Sequence, residues 1–333
     1  MIKNEFKSMV VRETKEKEYV KEIKKKTIKE LAENDLLIQV KYSSLNYKDA
    51  LSSIGNKAVT KNYPHTPGID AAGIVVDSKE DHFKKGEKVV VTGYDLGMNT
   101  SGGFQEYIRV PSEWVVKLPK NLSLKESMSY GTAGFTAALS VDRLINSGVK
   151  PDDGELLVTG ASGGVGSIAI SILNKLNYRV IAATGKLDEK ENLLNLGAKD
   201  IIDRKILEDD SKRALLEERW SGVIDTIGGE VLSNAIKSLK YGASVTCCGN
   251  ILSGELSTSI YPFILRGISL FGIDSVQCEM NTRVRIWHHL ANDWKVDHLL
   301  DHVEEIALED LEENIDQMLN NQHTGRTIVN LEM

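Results

Sequence analysis

The sequence predicts an α/β protein of two domains, a β-rich domain interrupted by a doubly wound parallel sheet. Three observations predict it. The chain has 333 residues, more than one compact core usually holds. Its first hundred-odd residues read as closely spaced short strands. From about residue 125 to 272 apolar strands alternate with helical segments, the pattern of βαβ units and a parallel sheet. The expected division is therefore 1–124, 125–272, and a return to the first domain over 273–333.

The strands of the first domain are SMVVRE (8–13), LLIQVKYSSL (36–45), AAGIVVD (71–77), EKVVVTG (87–93) and FQEYIRV (104–110). Gly, Pro, Asn and Asp turns separate them. The lysine-dense KEIKKKTIKE (21–30) interleaves Ile and Glu, which predicts a solvated strand and turn rather than a basic tail. After KLPKNLSLKES the pattern changes. Strands ELLVTGA, YRVIAAT, KDIID, GVIDTIG, ASVTCCG and ISLFGID follow, with helices expected through VGSIAISILNKL and DEKENLLNLGA. The C-terminal part holds RVRIWHHLAN, a helix LEENIDQMLNN and a final strand GRTIVNLEM.

Composition narrows the function. Apolar residues make up 41% and charged residues 27%, as in a soluble globular protein. No apolar run approaches the roughly 20 residues of a membrane span, and the first residues lack a signal-peptide core, so cytoplasmic residence is expected. A net charge of −7 offers no global basic field for nucleic acid. The three cysteines, Cys247, Cys248 and Cys278, form no CxxC pair. Cys247 and Cys248 lie in an apolar strand pattern and are expected to pack as small buried hydrophobes.

TGASGGVGS (159–167) is set where a strand turns into a helix. Gly163 and Gly164 leave backbone amides open to a phosphate at the helix N-terminus, and Gly166 allows close packing beneath it. Placed at the first turn of a βαβ unit, the loop predicts a dinucleotide site. The next strand would end in an acid if the ligand were NAD, because a carboxylate accepts both ribose hydroxyls. Instead it ends in Thr184, Gly185 and Lys186, a hydroxyl, an open backbone and a cation, which suits the 2′-phosphate of NADP. Arg204, just past IID, offers a second cation. The competing reading is that Asp188 supplies the acid, although LDEKENLL reads as a helix start where acids favour the dipole. The short-chain dehydrogenases share such a loop but need a Tyr-x-x-x-Lys pair, and no tyrosine here has lysine four positions on.

SSLNYKDAL, PGIDAAGIV, GGFQEYIRV, GTAGFTAAL, TGASGGVGS and QHTGRTIV, taken together and in this order, resemble the medium-chain dehydrogenase/reductase superfamily. The resemblance is strongest to its zinc-free branch of quinone oxidoreductases and NADPH-dependent acryloyl-CoA reductases. It implies a GroES-like catalytic domain for the β-rich part and a Rossmann NADP-binding domain for the rest. Where the zinc enzymes of the superfamily carry Cys and Gly-His-Glu, this chain has Asn46 and Gly68-Ile69-Asp70, so no metal is expected. The resemblance assigns Tyr47 and Asp70 catalytic roles, Tyr47 as donor or proton source and Asp70 as orienting group. Tyr47 also approaches the nicotinamide, as does Thr136. The phosphate loop maps onto Ser162, Gly163, Gly164 and Val165, and the 2′-phosphate pocket onto Thr184, Gly185, Lys186 and Arg204. Asn250, Ile264, Ser275 and Arg326 complete the implied cofactor set.

Without a Lewis acid, alcohol oxidation lacks its usual route, whereas an activated C=C suits hydride addition to the β-carbon. The implied substrate is an α,β-unsaturated acyl-CoA of the acryloyl-CoA type. The alternatives are a quinone, and an NADPH-binding sensor without turnover. The apolar edge segment ISLFGI predicts pairing with its copy in a homodimer.

Overall fold

A computed structural model describes residues 4–209, 211–297 and 299–333. Two compact units result: Met1–Thr132, Val276–Asn292 and Asp297–Met333 form the first, Ala133–Ser275 and Asp293–Val296 the second. The junctions fall at 132/133 and 275/276, against 124 and 272 expected from the change of pattern.

The first unit opens with the hairpin β1 (Phe6–Glu13) and β2 (Tyr19–Lys26), paired antiparallel. The lysine-dense segment thus begins as a mostly solvated strand, and Lys21 pairs with Glu312 at 3.3 Å. Next come β3 (Leu36–Ser44), α1 (Tyr47–Ser53), β4 (Asp70–Ser78), β5 (Lys88–Thr92), β6 (Tyr107–Val110) and β7 (Val115–Lys117). Alternating apolar side chains such as Leu36, Ile38, Val40, Val89 and Val91 lie on one face and are buried. α2 (Leu124–Asn146) crosses from the first unit into the second. It is broken at Gly131, whose φ of 52° and ψ of −156° no helix contains.

In the second unit, β8 (Glu155–Thr159), α3 (Gly164–Lys175), β9 (Arg179–Thr184), α4 (Lys190–Asn195), β10 (Asp200–Asp203), β11 (Trp220–Asp225), α5 (Gly229–Lys237), β12 (Leu239–Cys247), α6 (Tyr261–Arg266) and β13 (Ser269–Gly272) follow. The six strands are all parallel in the order β10-β9-β8-β11-β12-β13. Counted from its own first strand, that order is the 3-2-1-4-5-6 of dinucleotide-binding sheets, with its crevice between β8 and β11. Leu157, Ile181, Val223 and Val245 on neighbouring strands form its core. Cys247 and Cys248, expected to be buried, are only half-buried, at and just past the end of β12. Burial still pushes the Cys248 thiol up to about 12.

The chain then returns to the first unit through α7 (Met280–Ala291), β14 (Val303–Ala307), α8 (Leu311–Leu319) and β15 (Arg326–Asn330). β15 pairs with β3 and β14, completing the seven-stranded sheet β14-β15-β3-β4-β5-β7, with β6 on β3. Among the described residues no helix is long and apolar enough to cross a membrane.

Candidate functional site

In the second unit the glycine loop connects β8 to α3, and Gly163 is the N-cap of that helix. The helix runs 12 residues, so its first amides carry the partial positive charge of the whole stack. Gly166 is required by approach: a Cβ there would lie 2.5 Å from the Gly160 carbonyl oxygen, and the loop would be forced off the helix. Ser162 and Thr184 bring their hydroxyls within 3.1 Å of each other, which ties the loop to the end of β9. Thr184 Oγ1 also accepts the Lys186 N–H at 3.0 Å.

Parallel pairing sets Thr184 opposite Asp203, so Arg204 follows directly beside it. Its guanidinium lies across Gly185, where a Cβ would meet Nε at 3.1 Å and Cζ at 3.2 Å. Lys186 is partly buried, and loss of solvation lowers its pKa while Glu189 and Asp188 act against that shift. Asp188 itself lies past Lys186, exposed, in the short 3₁₀ turn Leu187–Glu189. Ser162, Thr184, Gly185, Lys186 and Arg204 are therefore gathered around one spot. Of the remaining assignments, Thr136 is buried in α2 with its carbonyl accepting Ser140 Oγ at 2.9 Å, Asn250 is exposed, and Ile264 on α6 is 64% exposed. Ser275 is half-buried at the last position of the long segment of this unit.

Sequence reasoning missed Asp225, the last residue of β11. Fully buried, it accepts Thr159 Oγ1 at 2.7 Å and the Gly228 N–H at 2.8 Å, which joins the ends of β8 and β11 at the crevice. Burial raises its pKa. The Asp-Thr-Ile-Gly run after an apolar strand is a turn signal that marks it.

In the first unit the site is built on the N-terminus of α1. Asn46 is the N-cap, and Tyr47, the first helical residue, is 43% exposed. Asp70, at the start of β4, has no exposed surface. Its carboxylate accepts Ser44 Oγ at 2.6 Å, Asn46 Nδ2 at 2.8 Å, and the N–H and Oγ1 of Thr132 at 2.8 and 2.5 Å. A carboxylate so enclosed is held by donors from β3, the α1 N-cap and the break in α2, as an orienting group is. Arg326, implied as a cofactor contact, is buried in this same unit. Its guanidinium donates to the carbonyls of Ser129 at 3.2 Å and Leu45 at 3.1 Å, with Asn46 Oδ1 at 3.4 Å. Strand β15 carries it there, and charge balance with the two buried acids Asp70 and Asp49 holds it.

Asp49 is the second residue that the sequence did not reveal. It accepts the N–H groups of Gly68 at 3.1 Å, Ile69 at 2.8 Å and Asn46 at 2.9 Å. Burial, and then the nearby Asp70 carboxylate, push its pKa up to about 7.

Comparisons with known proteins agree with this architecture. A family model described as an alcohol dehydrogenase GroES-like domain matches residues 32–120, and one described as a zinc-binding dehydrogenase matches residues 164–308. The chain is 45% identical to YhfP of Bacillus subtilis, provisionally named a quinone oxidoreductase, over 93% of this chain and 94% of that protein. A crystal structure of YhfP with NAD bound superposes with a TM-score of 0.96, covering 98% of this chain and 100% of the other. Acrylyl-CoA reductase AcuI of Ruegeria pomeroyi is 39% identical over 93% of this chain and 94% of its own. The structure of Escherichia coli YhdH with bound NADPH, 37% identical, has a TM-score of 0.93 and covers 97% of this chain and 99% of the other. The second family description implies zinc, but Asn46, Ile69 and an Asp70 carboxylate already saturated by donors beside Arg326 do not fit one. Continuous similarity across both units and the shared strand order lead to one conclusion: the chain belongs to the medium-chain dehydrogenase/reductase superfamily, in the branch that holds YhfP and AcuI.

Proposed function

We propose that the protein is an NADPH-dependent reductase of an activated C=C bond, acting on an α,β-unsaturated acyl thioester of the acryloyl-CoA type. One observation carries the cofactor half. Lys186 directly follows Gly185 and the Arg204 guanidinium lies across it, at the end of β9, where an acid would receive an unphosphorylated ribose. The α3 N-terminus, with Ser162 to Val165, holds the pyrophosphate, and the two cations with Thr184 Oγ1 hold the 2′-phosphate. Bound NADPH supplies hydride to the β-carbon of the substrate.

As that carbon gains hydride, the C=C electron pair moves toward the carbonyl, and the resulting enolate takes a proton at its α-carbon. Tyr47, exposed at the first turn of α1, is the donor to the enolate. Asp70 and Arg326 keep Asn46 and the helix start in place. The bound NADPH of Escherichia coli YhdH and the name of the Ruegeria relative favour this reading. A quinone accepts hydride with the same polarity, and the provisional name of the Bacillus relative favours that second reading. A homodimer through β13 and cytoplasmic residence complete the proposal.

The test follows NADPH consumption by the purified protein with acryloyl-CoA and with a simple benzoquinone in parallel. Turnover of the thioester in clear preference is expected. Preference for the quinone selects the second reading, and turnover of neither refutes reductase activity on both classes.

A further inference from the structure

Tyr47 has to be held in place by something, and besides Asp70 and Arg326, which hold Asn46, a second buried carboxylate reaches the start of its helix. α1 has only seven residues, too short to hold itself rigid, and its first turn projects an exposed side chain. Beneath it lies a floor of backbone packed directly on backbone. A Cβ on Gly68, whose φ is +110°, would lie 2.6 Å from the amide nitrogens of Gly103 and Phe104. One on Gly97 would lie 2.5 Å from the Gly68 carbonyl carbon. A segment so enclosed does not move independently.

Asp49 joins the two. One of its oxygens, Oδ1, accepts from the N–H groups of Gly68 at 3.1 Å and Ile69 at 2.8 Å, both on the floor. The other, Oδ2, accepts from the Asn46 N–H at 2.9 Å and Asn46 Nδ2 at 3.3 Å, at the helix start. The same Asn46 amide donates to Asp70 at 2.8 Å. We propose that Asp49 is a positioning residue for the reaction, a carboxylate strap that fixes Tyr47 by tying the first turn of α1 to the Gly68–Ile69 floor. This rests on the reading of Tyr47 as the group that meets the substrate.

The strap needs a carboxylate, because every one of its partners is a donor. A proton on either oxygen removes an acceptor and turns an O–H against an N–H. The charged groups facing Asp49 are Asp70 from β4 and Arg326 from β15; burial first, and then the Asp70 carboxylate, bring its titration up to about 7 against the hydrogen bonds from Ile69 and Asn46. The strap is therefore intact on the alkaline side of that value and loosens on the acid side.

The experiment compares wild type, Asp49→Asn, Tyr47→Phe and the double variant, with the acceptor that wild type reduces faster. Asp49→Asn should lower kcat by about tenfold or more, as loss of alignment does, with the KM for NADPH within about twofold. The wild-type acid limb of kcat, centred near 7, should flatten in that variant. In the Tyr47→Phe background Asp49→Asn should cost little more, since both act through one hydroxyl. If Tyr47→Phe is slow while Asp49→Asn is normal, the strap is wrong and the reading of Tyr47 stands. Effects that multiply in the double variant also overturn the strap. If Tyr47→Phe is as fast as wild type, the reading of Tyr47 falls and the strap with it. Should Asp49→Asn fail to fold, Asp49→Glu keeps the charge but shifts it by one methylene. It must show the same loss in kcat at unchanged KM for NADPH, and wild-type kcat there refutes the strap. Without any turnover, protection factors at Asn46, Gly68 and Ile69, taken relative to intrinsic exchange at each pH, that fall below pH 7 in wild type support it, and protection independent of pH overturns it.

Discussion

In the proposed cofactor site, Lys186 and Arg204 take over a task that one carboxylate performs in the NAD-type site, and the exchange reverses the sign of the field at the adenosine end. The Arg204 guanidinium lies flat across Gly185 and is suited to bidentate contact with a phosphate, whereas Lys186 is a point charge on a flexible stem. A charge-assisted hydrogen bond contributes about 1.5–3 kcal/mol, or roughly a 10- to 100-fold change in affinity. Lys186→Glu should weaken NADPH by at least that factor while leaving NADH unchanged or tighter, as measured by calorimetry. Equal affinity for the two nucleotides in the wild type would remove the argument at its root. Burial holds the Lys186 pKa below the usual lysine range, so NADPH affinity should also begin to fall at a pH below that of an exposed lysine. Asp49 shows the opposite linkage. Its pKa is raised from 3.8 to about 7 in the folded protein, so its contribution to stability is full below the lower value and declines as pH rises to the upper one. Function gains from the ionised strap over the same range in which stability loses.

At the scale of elements, what was legible was whatever has a period or a local signature. The apolar alternation of β3 to β6 and the strand–loop–helix order around TGASGGVGS could be read residue by residue, because side chains two or four positions apart share a face. The Ser44–Asn46–Asp49–Asp70–Arg326 cluster could not. Its members lie on β3, α1, β4 and β15, and only the fold brings residue 326 next to residue 46. The break in α2 was equally hidden, since nothing local in GTAGFTAAL shows which of its two glycines turns out of the helix. There Gly131 adopts φ 52°, and a Cβ would lie 2.4 Å from Ser44 Oγ, 2.6 Å from Asp70 Oδ2 and 2.7 Å from Arg326 Nη2. The helix is broken so that Thr132 can turn its N–H and hydroxyl toward Asp70. Gly131→Ala adds backbone strain of about 1–2 kcal/mol and overpacking of about 1–3 kcal/mol. Chemical denaturation should therefore show a loss of about 2–5 kcal/mol. A loss under about 1 kcal/mol, the central value for an arbitrary substitution, would mean that the cluster yields without cost and is not the rigid base assigned to it.

On the scale of the whole molecule, the parallel sheet ends in β13, and an edge strand presents a row of backbone groups to any matching strand. Beside it, Ile260, Tyr261, Ile264 and Leu265 on and before α6 are all exposed, an apolar cluster that a monomer has little reason to display. A second copy meeting the first across a two-fold axis would pair β13 with β13 antiparallel and cover both clusters at once, because an isologous contact buries each patch against its own image. Such a contact stays closed at two chains. Sedimentation should accordingly find a dimer. Ile260→Glu with Leu265→Glu should convert it to a monomer without lowering the melting temperature by more than a few degrees, since both side chains are already in solvent within one chain. A wild type that sediments as a monomer would refute the interface. A dimer that survives both glutamates would place it elsewhere, since four buried unpaired carboxylates, two from each copy, cost more than an edge-strand pairing can offset.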